Sequence, residues 1–283
     1  MSAPRVDRPS GGRVSRSWDV FRGLVVAEFQ DSRDLTLFGV LKWVLEPLSY
    51  MLVYFVLVAS ILGKDRGYAF PLFLLSALVP WRYFTGVMQD SMGLVNRFSS
   101  VIVNVGVPKA VLPLVVMTTE LTNMLVALLL FVPMVLIYHV DMWPSVLWVP
   151  VIVANLVLLT VGPAYLLTVF GLYFADFRGV VQNLIRAGFF LSTALIPLNK
   201  IPGDTLPRLI KANPFSGIFD SFRAVFGVYN VRAPAGCDTC PPQLVGHAPK
   251  PVDLIYPAVV GVVLLLFGLA VYRWRANRIP KEV

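Results

Sequence analysis

The sequence is poor in charge. Asp, Glu, Lys and Arg together make up 14% of its 283 residues, against 57% hydrophobic residues, and the mean hydropathy is +0.73. A soluble core of this length has no room for so much apolar surface, so the composition excludes a soluble globular domain and predicts an integral membrane protein. The loops that carry nucleotide and hydrolase chemistry are missing too. There is no G-x-x-x-x-G-K-[ST], no G-x-G-x-x-G opening a helix, no H-E-x-x-H and no G-x-S-x-G. Neither an ATPase nor a recognisable hydrolase is expected. The polar N-terminus, with Arg5, Arg8, Arg13 and Arg16, is not followed by an apolar stretch leading to a small-residue cleavage site, so no signal peptide is expected. The net charge of +8 comes from residues at the ends of apolar runs. That is the place for headgroup anchors and topology signals, not a stripe for nucleic acid.

What the sequence does contain is long apolar runs. Crossing about 30 Å of hydrocarbon takes about 20 apolar residues, and six stretches meet or approach this, at 40–62, 69–92, 110–138, 147–173, 180–199 and 255–273. Arg97, Lys109, Arg178, Arg273, Arg275, Arg278 and Lys281 then share one side with the N-terminal arginines, while Lys64 and Arg66 fall on the other. The balance places both termini in the cytoplasm. Residues 1–16 are expected to be a disordered cytoplasmic tail, and 17–283 a single all-α transmembrane domain. Within 17–33, Trp18, Phe21, Val25 and Phe29 share one helix face, which predicts an interfacial helix on the inner leaflet.

Two connections carry further periodicity. Between the second and third runs, Phe98, Val101, Ile102 and Val105 fall at i, i+3, i+4 and i+7, and Pro108 and Lys109 close the segment. This predicts a short amphipathic helix in the cytoplasm, too short to cross the bilayer and suited to the groove of a partner protein. The long outer loop, 201–254, holds Phe215, Phe219, Phe222 and Phe226 on one face directly after Asn213-Pro214. The spacing predicts an amphipathic or re-entrant helix, either anchored in the outer leaflet or forming an outer gate.

Glu120, in TTELTN, lies near the middle of the third run, where an ionised carboxylate is expensive. Two readings stand open: a polar point on a substrate path, or a tie between helices through Arg82 or Arg186. Trp81, Tyr83 and Phe84 offer ring faces to a sugar in a channel, or they face lipid as interfacial aromatics do. Cys237 and Cys240 lie in the outer loop, where thiols oxidise and a local disulfide is expected. Zinc would find only His247 and Asp238 nearby, short of the four ligands it takes, and no metal site is expected.

Several stretches, in order along nearly the whole chain, resemble the membrane subunit of ABC-2 type exporters of the polysaccharide branch, which moves O-antigen, teichoic acid or galactan. They are RDLTLFGVLKWVLEP (33–47), YAFPLFLLSALVPWRYF (68–84), Pro108-Lys109 followed by VLPL, and LIPLNKIPGDTLPRLIKANPFSGIFDSFR (195–223). Within that branch the chain is most similar to the galactan-export permeases of mycobacteria and their relatives. It departs from the pattern at Ala175-Asp176, Ser192-Thr193 and Val103-Asn104. The resemblance implies a multi-pass permease of the bacterial plasma membrane that forms a homodimer and acts in cell-wall biogenesis. Two copies of a separate ATPase would bind ATP and Mg, so this chain needs no cofactor, and Phe98 to Lys109 would be the coupling helix. The cargo implied is a lipid-linked polysaccharide. Rival readings are a drug or lipid efflux permease with the same fold, a proton-coupled secondary transporter using Glu120, and a membrane enzyme acting on lipid-linked sugar.

Overall fold

The computed structural model describes residues 21–26, 37–62, 69–98, 111–173, 178–201, 203–232 and 242–276. Among them a short helix, α1, covers 21–26. It is followed by α2 (Leu37–Leu62) and α3 (Phe70–Arg97). Next come α4 (Leu112–Ala127) and α5 (Phe131–Ile137), joined by the single 3-10 turn Leu128–Leu130. After them lie α6 (Val149–Tyr173), α7 (Arg178–Phe190), α8 (Thr205–Ala212), α9 (Pro214–Val225) and α10 (Pro251–Ala276).

Among the described residues, four stretches are long and apolar enough to cross a membrane: Phe70–Leu94, Leu112–Ile137, Ser145–Gly171 and Pro251–Arg275. They coincide with the second, third, fourth and sixth runs of the sequence. The first run forms the 26-residue α2, with its apolar section at Val44–Leu57. The mostly helical architecture accords with an all-α membrane protein. The exception is a three-stranded sheet of very short strands: β1 (Val140–Asp141), β2 (Val231–Arg232) and β3 (Gln243–Val245), in the order β1-β3-β2. Val140 pairs in parallel with Leu244, which pairs antiparallel with Val231. The sheet stitches the turn after α5 to the segments on either side of residues 233–241.

The fifth run departs from expectation. Over 180–199 the helix stops at Phe190, and its 13 residues span about 20 Å, short of the hydrocarbon thickness. The reason lies in Asn213. Its side-chain amide donates to the carbonyls of Gly188 (2.9 Å) and Leu191 (3.0 Å), taking up acceptors at the end of α7. Its side-chain oxygen accepts from the Phe215 N–H (3.0 Å) and so caps the start of α9, with Pro214 at the first helical position. One asparagine thus ends one helix and starts another.

The helices are not equally sheltered. α3 is the hub, with 78% of its most apolar window buried, whereas the corresponding figure for α10 is 17%. Val259, Val263, Leu266 and Phe267 of α10 are exposed, as contact with lipid tails requires. α10 packs mainly on α6, and α6 also packs on α3. The α6–α10 contact is close because Gly162 and Gly268 face each other across it. A methyl group on Gly162 would strike the Leu264 carbonyl, and one on Gly268 would strike the backbone of Gly162. Where lipid supplies no hydrophobic drive between helices, such backbone approach supplies the packing. Pro47, Pro80, Pro163 and Pro257 lie inside α2, α3, α6 and α10, a frequent feature of membrane helices. At the N-terminal side, Leu24 of α1 is buried and Phe21 and Val25 pack against the same core.

Candidate functional site

Three helices present one stripe each to a common cavity of about 480 Å³, within the usual range of ligand sites, about 300–1,000 Å³. From α2 come Glu46, Tyr50 and Tyr54, at i, i+4 and i+8. From α3 come Leu78, Trp81, Arg82, Thr85 and Gln89, at i, i+3, i+4, i+7 and i+11, and from α7 come Gln182, Ile185, Arg186 and Phe189. Each set follows the helical period. The walls therefore combine guanidinium, carboxylate and amide groups with aromatic faces.

Arg82 organises the charges. Its Nε donates to Glu46 Oε1 at 2.9 Å, and its Nη1 lies 3.9 Å from Glu120 Oε2. One guanidinium on α3 thus ties a carboxylate on α2 to another on α4. Of the two partners sequence reasoning offered Glu120, the structure selects Arg82. Arg186 is on the cavity wall instead. Glu120 is buried, and room for it is made by Gly86, one turn beyond Arg82. A methyl there would lie 2.6 Å from Glu120 Oε2. The threonines around Glu120 are locally engaged: Thr118, Thr119 and Thr122 donate to the carbonyls of Leu114, Val115 and Thr118. Glu120 therefore lies behind the cavity wall and is not among the residues lining it.

The aromatic candidates divide. Trp81 lines the cavity, Tyr83 is buried outside it, and Phe84 is half-buried. Trp81 is the centre of a ring cluster, with centroid distances of 5.3 Å to Phe84, 5.4 Å to Phe189, 4.9 Å to Phe215 and 6.3 Å to Phe219. The structure thus joins the residues read as channel lining to those read as outer gate. All four phenylalanines of the α9 row are buried, and Phe226 stacks on Phe131 at 4.4 Å. An amphipathic helix on the outer leaflet would lay these rings in lipid; here they are sealed against the protein's own helices.

What turns α9 inward is Arg223, which is 0% exposed. It pairs with Asp220 at 2.9 Å and donates to Ser76 Oγ (3.2 Å) and the Ala194 carbonyl (3.1 Å). It also donates to the Phe73 carbonyl and stacks 3.5 Å from the centre of the Phe73 ring. Arg223 is one helical turn beyond Phe219, at the flank of the phenylalanine face. Its burial depends on acceptors from α3 and the 191–194 turn, which no helical period reveals. Tyr50, Tyr54, Gln89 and Gln182 also went unremarked in the sequence. The usable signal was Arg82 and Arg186 inside apolar runs. Phe98, the first residue of the expected coupling helix, is buried at the end of α3, with the Arg97 guanidinium 5.3 Å from its ring centre. Val101, Ile102, Val105, Pro108 and Lys109 lie outside the described residues, as do Cys237 and Cys240.

Apolar membrane-crossing helices packed around a polar and aromatic cavity define a multi-pass membrane protein of the transporter class. No family model matches the chain, but curated relatives do, over most of its length. It is 28% identical over 280 residues to the O-antigen export system permease protein RfbA of Myxococcus xanthus, covering 96% of this chain and 99% of the relative. It is 23% identical to the protein of the same name from Klebsiella pneumoniae, over 84% of each chain. It is also 23% identical to the polysialic acid transport protein KpsM of Escherichia coli, over 84% of this chain and 86% of the relative. The chain is thus similar over most of its length to membrane proteins of polysaccharide export, and its apolar helices accord with a multi-pass protein of the plasma membrane.

Proposed function

We propose that this chain is the membrane subunit of an ATP-driven exporter that moves a lipid-linked polysaccharide across the plasma membrane. It is not an enzyme itself; it works as a homodimer with two copies of a separate nucleotide-binding subunit. The observation that carries this reading is the end-to-end correspondence with permeases of O-antigen export. The cavity between α2, α3 and α7 supports it, since tyrosine and tryptophan rings beside amide and guanidinium donors suit a polyhydroxylated cargo. Galactan as the particular cargo rests on the sequence resemblance alone. Both termini in the cytoplasm, the coupling role of 98–109, a link between Cys237 and Cys240 and an outer-gate role for α9 belong to the same proposal. The paired state of Glu120 with Arg82 favours a structural tie over a proton site.

The test is depletion of the chain in the cells that make it. Polysaccharide on carrier lipid should accumulate on the cytoplasmic side, out of reach of added glycosidase. Restoring the chain with Val101→Asp and Val105→Asp should leave the block in place, with less co-purifying ATPase. Unchanged polysaccharide at the surface on depletion would refute the function. Full rescue by the double variant would refute the coupling role only.

A further inference from the structure

α9 has a second face. Opposite its phenylalanines, Ser216, Gly217, Asp220 and Ala224 border another cavity of about 960 Å³, closed on its other sides by α8, the 193–198 segment and the start of α10. Two of its polar side chains, Asp220 and Tyr256, are held in place. Asp220 is fixed by Arg223 (2.9 Å) and by the Thr193 hydroxyl (3.4 Å). A second carboxylate, Asp253, enters from the first turn of α10. Tyr256 donates its hydroxyl to the Ala212 carbonyl at 2.6 Å, which anchors its ring at the wall. Tyr229 also lines the cavity, with half of its surface exposed and its hydroxyl against Arg223 and Asp220. Arg208, Lys211 and Lys250 add positive charge to the lining.

This combination narrows the ligand. A simple anion would be drawn by the three basic residues but would bring no donor for the carboxylates of Asp220 and Asp253. A bound cation would need more carboxylate or imidazole ligands than are gathered here, since no group of three or more His, Cys, Asp or Glu occurs among the described residues. A sugar satisfies both parts. Its hydroxyls donate to the carboxylates of Asp220 and Asp253, its C–H face lies on a tyrosine ring, and an acidic substituent finds the lysines. We infer that this cavity is a second saccharide-binding subsite, separated by α9 from the aromatic cluster. A short stretch of the exported chain would be held there by Asp220, Asp253 and Tyr256. The identification of the sugar as exported cargo rests on the proposed function; the binding itself does not.

The test uses the full-length protein, purified in detergent and titrated with two probes: a neutral galactose tetrasaccharide and an acidic sialic acid tetramer. Saturation-transfer NMR reads the dissociation constants. Binding of the neutral probe should weaken about tenfold with Asp253→Asn and fall similarly with Tyr256→Leu. Tyr256→Phe, which keeps the ring, should retain binding. Lys211→Ala should weaken only the acidic probe. Asp253→Asn leaves the Arg223–Asp220 pair intact, so the folded protein remains available for titration. No binding by the unaltered protein, or equal binding by Asp253→Asn and Tyr256→Leu, would overturn the subsite even where export proceeds. Binding that follows this pattern in a chain whose depletion leaves surface polysaccharide unchanged would support the subsite and count against the function.

Discussion

Replacing Arg223 by methionine removes the most enclosed charge among the described residues while nearly preserving side-chain volume, so the loss measured is chiefly electrostatic. Truncating one partner of a buried ion pair costs about 3–5 kcal/mol. Here the other partner is not sealed in: the Asp220 side chain is 30% exposed and regains water, which moves the cost toward the lower end. The Phe73 carbonyl is not orphaned either, because the Ser76 hydroxyl donates to it at 2.7 Å. The Ala194 carbonyl loses its guanidinium donor, at about 1–3 kcal/mol, and the stacking on Phe73 adds about 1 kcal/mol. The expected destabilisation is therefore about 3 kcal/mol. At about 2–4 °C per kcal/mol for chains of 150–250 residues, the unfolding midpoint should fall by about 6–12 °C. Arg223→Lys keeps the charge but not the fork that reaches α3 and the 194 carbonyl together, and should fall about halfway. The assay is thermal unfolding in detergent at one heating rate, followed by tryptophan emission. A midpoint for Arg223→Met within about 2 °C of the unaltered protein would refute the role of Arg223 as the lock between α9 and α3.

Three further predictions rest on the same packing. Arg82→Gln and Glu46→Gln should be non-additive by about 0.5–1 kcal/mol in a thermal double-mutant cycle, since both act on one 2.9 Å contact; simple additivity would dissolve the α2–α3 tie. Gly162→Val should prevent the close approach of α6 and α10 and abolish a monodisperse peak on size exclusion. Gly179→Ala, which meets nothing within 4 Å, should leave the peak unchanged. Phe222→Ala should cost about 3–5 kcal/mol because the ring is 0% exposed; a loss below about 1 kcal/mol would instead indicate a ring lying in lipid.

The membrane class, the rough extent of four of the six runs and the start of α9 at Asn213-Pro214 were legible in the sequence because each depends on local composition or spacing. Apolar length marks a span whatever it packs against, and a proline after an asparagine marks a helix start on its own terms. The failure at 180–199 has a different origin. The stretch is apolar enough to read as a span, but the helix is ended from outside, by an amide 22 residues further on bonding the Leu191 carbonyl. The same holds for Arg223, whose burial depends on acceptors from 29 to 150 residues away. Glu120 falls between the two cases. Its cost in an apolar run announced a partner, and two arginines in apolar runs supplied candidates. The choice between them required the register of α3 against α4, which Gly86 sets by leaving room for the carboxylate.

The burial of the α9 row changes what an outer gate built on this helix must do. Phe219 and Phe222 have no exposed surface, so rotating either ring alone uncovers no passage and would clash with the close-packed core. One face of α9 is fixed to α3 through Trp81 and Arg223, and its start is fixed to the end of α7 through Asn213. Any opening that separates the cavity beside Trp81 from the cavity beside Asp220 must therefore move α9 as a unit, breaking the Arg223 contacts and the Asn213 bonds together. Such a cooperative step suits a gate driven by a partner's ATP cycle better than thermal side-chain motion, because it makes the closed state stable until work is done on it. Under the proposed function, the residues that hold the gate shut are Arg223 and Asn213, and the phenylalanines are the surface they hold in place.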